Sequence, residues 1–326
     1  METKQDSRHL VEMRKSTGKG LGIFAIADIP RGTRVIAEAA LLKIDRNNTD
    51  ARNILYAFES LSASQQGSYL ELHGFACAAF RHAAEQEMGR SWQEMPELQR
   101  RVLAIFAANA FGDVFLLGSR INHSCIPNIH FAYNSILEKE TFHAVRDITA
   151  GEELTISYNN GVNRTKSQRQ AELDNWGFIC TCAACEITAE GKEREAKRVQ
   201  LFSLDQELAI NMRIRTSESW KKALKLAQNL AAVQKSEGLL CRDLSVSYYD
   251  AARSCVMLGQ TRMALLWAEK ELEVDRYCVG EDHPDYATEL DMVQKLREAV
   301  ESSKPVDASV TEWFDLQSSS GDPCAI

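Results

Sequence analysis

Three thiols fall on one short loop, Cys180-Thr181-Cys182-Ala183-Ala184-Cys185. This spacing suits metal better than disulfides, and a closed structural zinc site takes four ligands. The loop therefore needs one more thiol from elsewhere in the chain. Cys125 supplies it, from the stretch Arg120-Ile121-Asn122-His123-Ser124-Cys125-Ile126-Pro127-Asn128. The expected metal ligands are Cys125, Cys180, Cys182 and Cys185, holding a structural zinc. Four thiolates leave no open position for water, so the metal's task would be to pin two distant segments together. Nine cysteines are an odd number, and only three of them cluster. With no apolar signal core in the polar start Met1-Glu2-Thr3-Lys4-Gln5-Asp6, the chain reads as intracellular and reducing.

The stretch around Cys125 carries more than a ligand. Asn122 and His123 offer paired donors and acceptors that can hold a polar ligand at a fixed angle. Pro127 restricts Ile126 to extended geometry, and the flanking asparagines favour tight capped loops. Upstream, Gly18, Gly20 and Gly22 alternate with Lys19 and Leu21, which lets the backbone lie close against a ligand. A strand-like run follows from Leu21 to Ile26, then a turn at Asp28–Gly32 and a second strand over 33–38. This is no dinucleotide loop: no strong strand precedes it, and Pro30 breaks any following helix. Strands are also expected at 129–133, 141–145 and 154–158, the last ending in Tyr158. His130 and His143 lie within strands and read as structural.

Between the two β-rich parts, apolar residues recur at helical spacing over 53–58 and 98–109. His73, Cys77 and His82 lie in this insert, but nothing nearby completes a metal site, so they read as packing. Residues from about 190 to 302 are helical in pattern. The sequences Asp250–Gly259 and Ala264–Lys270 suggest a helix pair, and Gly280-Glu281-Asp282-His283-Pro284 a corner before a final helix. The whole resembles a degenerate tetratricopeptide-type arrangement. A run of acids, Glu271, Glu273, Asp275, Glu281, Asp282 and Asp285, reads as a solvated face, with a groove for a basic tail as the sharper reading. Residues 303–326, rich in Ser, Asp and Pro, read as a flexible tail. Cys324 stands third from the end, one place short of a prenylation box. A formal net charge of −8 argues against a general nucleic-acid binder. No run approaches the ~20 apolar residues of a membrane span.

Taken in order, these stretches resemble a SET-domain protein-lysine methyltransferase with a post-SET zinc loop. Gly18-Lys19-Gly20-Leu21-Gly22 is similar to the family's N-terminal cofactor loop. Arg120–Asn128 is similar to its central Asn-His-Ser-Cys-x-Pro-Asn motif, Gly151–Tyr158 to its tyrosine motif, and Cys180–Cys185 to its post-SET loop. The helical insert and helical C-terminal part make the SMYD-type branch the nearest, without the MYND finger that branch usually carries. The resemblance implies an α+β fold: a SET domain over 1–160 with a helical insert at about 47–110, and a zinc-bound post-SET segment over 161–188. An all-helical TPR-like domain over 189–302 would follow, then the tail over 303–326.

It implies methyl transfer from S-adenosyl-L-methionine to the ε-amine of lysine in a protein, histone or non-histone. Tyr158 would be catalytic. Lys19, Gly20, Leu21, Asn122, His123, Tyr158 and Phe178 would bind the cofactor, with Phe178 over the adenine. Trp176 would wall the substrate channel, where relatives often place tyrosine; Ser157 stands where many have an acidic or other residue. The expected partner is a protein with a target lysine, such as a basic histone tail, and the expected state a monomer in nucleus or cytoplasm, with no nucleic acid or membrane. Two other readings stay open, a catalytically inactive SET scaffold and methylation of a non-protein acceptor.

Overall fold

A computed structural model describes residues 6–45, 48–303 and 306–316. The polar first residues, the start of the expected insert at 47, and Cys324 with the far end of the expected tail lie outside them.

The N-terminal half is built from short antiparallel pairs. β1 (Val11–Ser16) pairs with β2 (Gly20–Ala25), and the turn between them uses Gly18 and Gly20 at φ of 73° and 78°. Ile23 and Ala25 are buried and Ile26 faces out, as alternation expects, but Leu21, on the Ile23 side, is exposed at the turn end of the strand. β3 (Arg34–Glu38) comes next. The insert forms four helices, α1 (Ala51–Glu59), α2 (Ala63–Leu70), α3 (Ala78–Met88) and α4 (Glu97–Asn109). Three begin on side-chain caps, Asp50, Ser62 and Cys77, which satisfy amides that the first turn leaves free. Cys77 thus caps a helix. The helices close a separate apolar core around Ile54, Phe58, Tyr69, Leu103 and Ile105.

The chain then returns to sheet. β4 (Ala110–Phe111) pairs with β5 (Asp113–Val114). β6 (Asn122–His123) lies within the central stretch. β7 (Ile129–Asn134) and β8 (Lys139–Ala144) extend β3 into a three-stranded sheet in the order β3-β8-β7. β9 (Thr155–Ile156) runs parallel to β6, pairing Asn122 with Thr155 and His123 with Ile156. Only two residues of the expected strand 154–158 are ladder. Tyr158 lies beyond them, where its backbone N–H donates to a side chain instead.

Six helices follow. α5 (Lys166–Leu173) precedes the cysteine loop. α6 (Ala189–Ile214), α7 (Ser217–Ser236), α8 (Arg242–Met257), α9 (Thr261–Cys278) and α10 (Pro284–Ser302) each pack on the next, the TPR-like pattern. α11 (Ala308–Leu316) corrects the expectation of a flexible tail from 303 onward. Val310 and Phe314, four apart on one helix face, are fully buried, and Tyr249 of α8 donates to the Phe314 carbonyl. The Ser, Asp and Pro content that suggested disorder flanks this short apolar stripe. Among the described residues no helix is long and apolar enough to cross a membrane.

The helical half is fastened to the sheets by specific contacts. Arg34 of β3, almost fully buried, pairs with Asp282. The Arg31 guanidinium sits 3.5 Å from the Tyr277 ring centroid. Asn134 donates to the Asp282 carbonyl at 3.2 Å, and His283 meets the Tyr133 carbonyl at 3.1 Å. These contacts redistribute the acidic run. Asp282, Glu273 and Glu281 pair with Arg34, Arg31 and Arg276, while Glu271 and Asp275 are buried. The run is neither one solvated face nor one groove.

Candidate active site and metal centre

The four expected thiols meet. The sulfurs of Cys125, Cys180, Cys182 and Cys185 all lie within 4.8 Å of one another. Cys125 Sγ is 3.9 Å from Cys180 Sγ and 3.6 Å from Cys185 Sγ. A tetrahedral zinc with Zn–S bonds near 2.3 Å separates its sulfurs by about 3.8 Å, so the donor set fits that ion in kind, number and spacing. Without a cation the thiols hydrogen-bond to one another, which divides their ionisation unequally. Hydrogen bonding to Cys180 pushes Cys125 up, and hydrogen bonding to Cys125 pulls Cys182 down.

Two buried arginines face this cluster. Arg169 of α5, 1% exposed, lies 3.2 Å from Cys125 Sγ through Nε and 3.5 Å from Cys185 Sγ through Nη2. Its Nη1 donates to the Arg164 carbonyl at 2.6 Å. Burial opposes its charge, and the neighbouring thiols of Cys125 and Cys185 more than offset that, holding the guanidinium above its usual value. Arg198 of α6 donates to the carbonyls of Val162 and Cys125, both at 2.6 Å. The cluster is therefore tied to α5 and α6 as well as to the sheets. Sequence spacing carried no signal for either arginine, because nothing local marks a helical arginine as buried.

The parallel β6–β9 pair builds the second centre. It brings the Asn122-His123 segment beside the tyrosine segment, and Asn128 locks the arrangement. The Asn128 side chain accepts from Thr155 N at 2.7 Å and donates to the Glu153 carbonyl at 2.9 Å. His123 Nδ1 accepts the Tyr158 backbone N–H at 3.0 Å, and its Nε2 lies 3.3 Å from Cys125 Sγ. Burial pushes His123 down to about 4, so the ring is neutral at physiological pH. Both ring nitrogens are engaged. The His123 side chain thus links the tyrosine segment to the thiol cluster.

The rings of His123, Tyr158, Trp176 and Phe178 cluster. Tyr158 lies 5.3 Å from His123, 5.2 Å from Trp176 and 6.3 Å from Phe178, centroid to centroid. The Tyr158 hydroxyl donates to the Ile121 carbonyl at 2.8 Å. Burial raises its pKa further, so it stays protonated. Its hydrogen is committed and its lone pairs are left to accept. On the other side, Asn122 Nδ2 donates to the Leu21 carbonyl at 3.0 Å and to Glu153 Oε1 at 2.7 Å. Lys19 Nζ reaches Glu153 Oε2 at 3.4 Å. The β1–β2 hairpin is thereby drawn onto the central stretch, and Glu153 is a contact the sequence reading passed over within its motif.

Tyr158 and Trp176 also open onto a cavity of about 440 Å³ between the sheets and the helical half. Phe111, His130, Phe131 and Tyr133 line one side, and Arg242, Asp243, His283 and Asp285 the other. Of the acidic run, only Asp285 reaches it. His283, read from sequence as a loop residue, caps α10 and lines this wall.

Residues 20–159 match the SET domain family. Histone-lysine N-methyltransferase set5 of Schizosaccharomyces pombe is 29% identical over 277 residues, 82% of this chain and 78% of that protein. A putative SET domain-containing protein, L678 of Acanthamoeba polyphaga mimivirus, is 25% identical over 64% of this chain and 90% of its own length. Histone-lysine N-methyltransferase SMYD3 of Mus musculus is 28% identical over 55% of this chain, which spans 42% of that relative. The matched SET region begins at Gly20, inside the β1–β2 hairpin, and ends one residue past Tyr158. It therefore contains the β6–β9 pair and stops short of the cysteine loop.

Proposed function

We propose that this chain is a SET-domain enzyme that transfers a methyl group from S-adenosyl-L-methionine to the ε-amine of a lysine in a protein, histone or non-histone. The observation that carries this reading is the placement of Tyr158. It stands beside His123 through the β6–β9 pair, with Trp176 and Phe178 around it, at the end of a cavity large enough for a side chain and its flanks. The names of the relatives support the same reaction.

When bound, S-adenosyl-L-methionine supplies a methyl group activated on a positive sulfur. The residues that fit it are Lys19, Gly20 and Leu21 of the hairpin loop, the Asn122 amide, the peptide groups of His123, the Tyr158 ring, and Phe178 as an aromatic face. Their work is proximity and orientation. Tyr158 directs the incoming amine by accepting a hydrogen bond on its oxygen, since its own proton points to Ile121. It serves as an orienting group, because a raised pKa makes its phenolate inaccessible as a base. Phe111, Phe131 and Trp176 line the approach with apolar surface, which favours the neutral amine that must attack. Zinc, held by Cys125, Cys180, Cys182 and Cys185, would act structurally, keeping Phe178 and Trp176 against the central stretch.

On this reading the catalytic unit spans 1–160, the metal segment 161–188 and the helical unit 189–302, with α11 docked beyond it. Such substrates assign the activity to nucleus, cytoplasm or both. Radiolabelled methyl transfer to histones and to a cell extract, followed by mass spectrometry of the labelled proteins, tests the proposal. Label on lysine is the expected result; no transfer by protein that demonstrably binds S-adenosyl-L-methionine overturns it.

A further inference from the structure

Trp176 and Phe178 stand on one short segment, on either side of Gly177. Trp176 lies 5.2 Å from Tyr158 and Phe178 lies 6.0 Å from His123, centroid to centroid. The cysteine cluster holds this segment from beyond Phe178, starting at Cys180. Gln170 of α5 acts at the same end, donating to the Phe178 carbonyl at 2.9 Å and accepting from Cys180 N at 3.1 Å. The turn at Gly177 is met from elsewhere. Gly177 takes a left-handed φ of 73°, and a Cβ on it would lie 2.5 Å from both Cε2 and Cζ of Phe75. The edge of the Phe75 ring therefore rests on the glycine, where no larger side chain fits. Phe75 comes from the insert, on a loop pinned to α4. Its N–H donates to the Ala104 carbonyl at 2.9 Å, and Asn109 Nδ2 donates to the neighbouring His73 carbonyl at 2.6 Å. Gly74 lets the loop lie close, since a Cβ there would be 3.3 Å from Ile105 Cγ1. The same helix brings Ala108 and Asn109 to the wall of the large cavity. Phe75 itself is half-buried and lies outside the insert's apolar core.

We propose that Phe75 is a positioning residue for methyl transfer: seated on Gly177, it holds Trp176 against Tyr158 and Phe178 against His123 as one unit. The inference rests on the methyltransferase reading and adds to it a brace from the insert, opposite the one expected from zinc. Transfer needs amine, carbon and sulfur in line, and a displacement of about 1 Å costs about a hundredfold in rate. Zinc and Gln170 fix the segment from the Phe178 side. The glycine turn on the Trp176 side has wide backbone freedom, and the ring of Phe75 is what removes it. Because Phe75 sits at the rim of the insert, its loss opens no cavity in the insert's core, and the effect falls on the turn it touches.

Single-turnover transfer at saturating S-adenosyl-L-methionine, calorimetry and zinc content on the same preparations separate positioning from packing. The acceptor is whichever of purified histones or cell extract the wild-type protein labels. Phe75→Ala should lower transfer by about tenfold or more, weaken S-adenosyl-L-methionine by no more than about threefold, and keep zinc at the wild-type level. Phe75→Leu, which restores apolar bulk without a flat ring, should lose only about threefold in transfer. A double-mutant cycle with Trp176→Phe tests the route: where Phe75 acts through Trp176, the double variant loses less than the product of the two single losses. Unchanged transfer per folded molecule in Phe75→Ala, or losses that simply multiply, overturns the inference. So does loss of zinc in step with transfer, which would make the metal the only brace. Wild-type transfer persists in all three cases, so the methyltransferase reading stands. Should Phe75→Ala fail to fold, Phe75→Leu takes its place in every comparison. Wild-type protein that binds S-adenosyl-L-methionine and transfers nothing overturns the methyltransferase reading and this inference together.

Discussion

The sulfurs of Cys125 and Cys185 lie 3.6 Å apart across a separation of 60 residues. That distance is close to the edge of a zinc–thiolate tetrahedron, and the other two thiols complete the figure. Protein purified under reducing conditions should carry about one zinc per chain by mass-spectrometric metal analysis. Cys185→Ser should abolish stoichiometric zinc and lower the thermal midpoint, because the loop bearing Trp176 and Phe178 loses its anchor. Absence of zinc from clean, reduced wild-type protein would refute the metal assignment.

Arg169 donates to two of the four sulfurs from a fully buried position. Replacing it with leucine leaves the thiolates without that counter-charge and the Arg164 carbonyl without its donor. Arg169→Leu should weaken zinc retention against a chelator by about tenfold or more. It should also cost roughly 3 kcal/mol of stability, read by denaturant unfolding. Arg169→Lys should rescue only part of either loss, since an ammonium cannot span two sulfurs and a carbonyl with the same fork.

Tyr158→Phe removes the hydroxyl that orients the amine and keeps the ring. Transfer should fall by about a hundredfold, whereas affinity for S-adenosyl-L-methionine should stay within about threefold. The lost hydrogen bond to Ile121 should cost about 1 kcal/mol of stability. Single-turnover transfer and calorimetry on the same preparation check both halves. Activity that survives the change would show that orientation comes from elsewhere in the cavity.

Asp250 on α8 lines a second, smaller cavity of about 180 Å³ together with Asp205 and Asp243. Burial raises its pKa to about 7, with Arg253 pulling down and Asp205 pushing up. In the unfolded chain the same carboxyl titrates near 4. The folded protein therefore holds the extra proton between those values, and this group's contribution to stability is lost as pH rises from about 4 to 7. Asp250→Asn should remove that slope and stabilise the protein above pH 7 by about 1–2 kcal/mol. Denaturation midpoints measured from pH 5 to 8 test it, and an unchanged slope would count against the assigned pKa.

Much of this was legible from residues alone. Local rules suffice for β2 and β3 and for the helices of the insert and of the C-terminal half, where apolar residues recur at helical spacing; β1, mostly exposed, carries no such pattern and contradicts the expectation that no strong strand precedes the glycine loop, because it is set by its pairing with β2. Ligand chemistry sufficed for the metal cluster: three thiols on a loop demand a fourth, and Cys125 was the thiol set in a polar motif. Composition over the whole tail hides its helix, because two apolar residues four apart, Val310 and Phe314, are what bury α11. The acidic run is one unit only along the chain; in space its members divide between ion pairs with Arg34, Arg31 and Arg276, burial, and the cavity wall.

Residue types and their spacing determined the thiol set, the hairpin loop, the two asparagines that bracket the central stretch, and the order of helices. These depend on side-chain chemistry and on contacts a few residues long. Only the tertiary structure decided that β6 runs parallel to β9, that both nitrogens of His123 are engaged, and that Arg169 and Glu153 belong to the two centres. Each of those outcomes depends on segments tens of residues apart meeting in space. Burial and hydrogen-bond partners are properties of that meeting, and they assign roles that neither residue type nor spacing can assign.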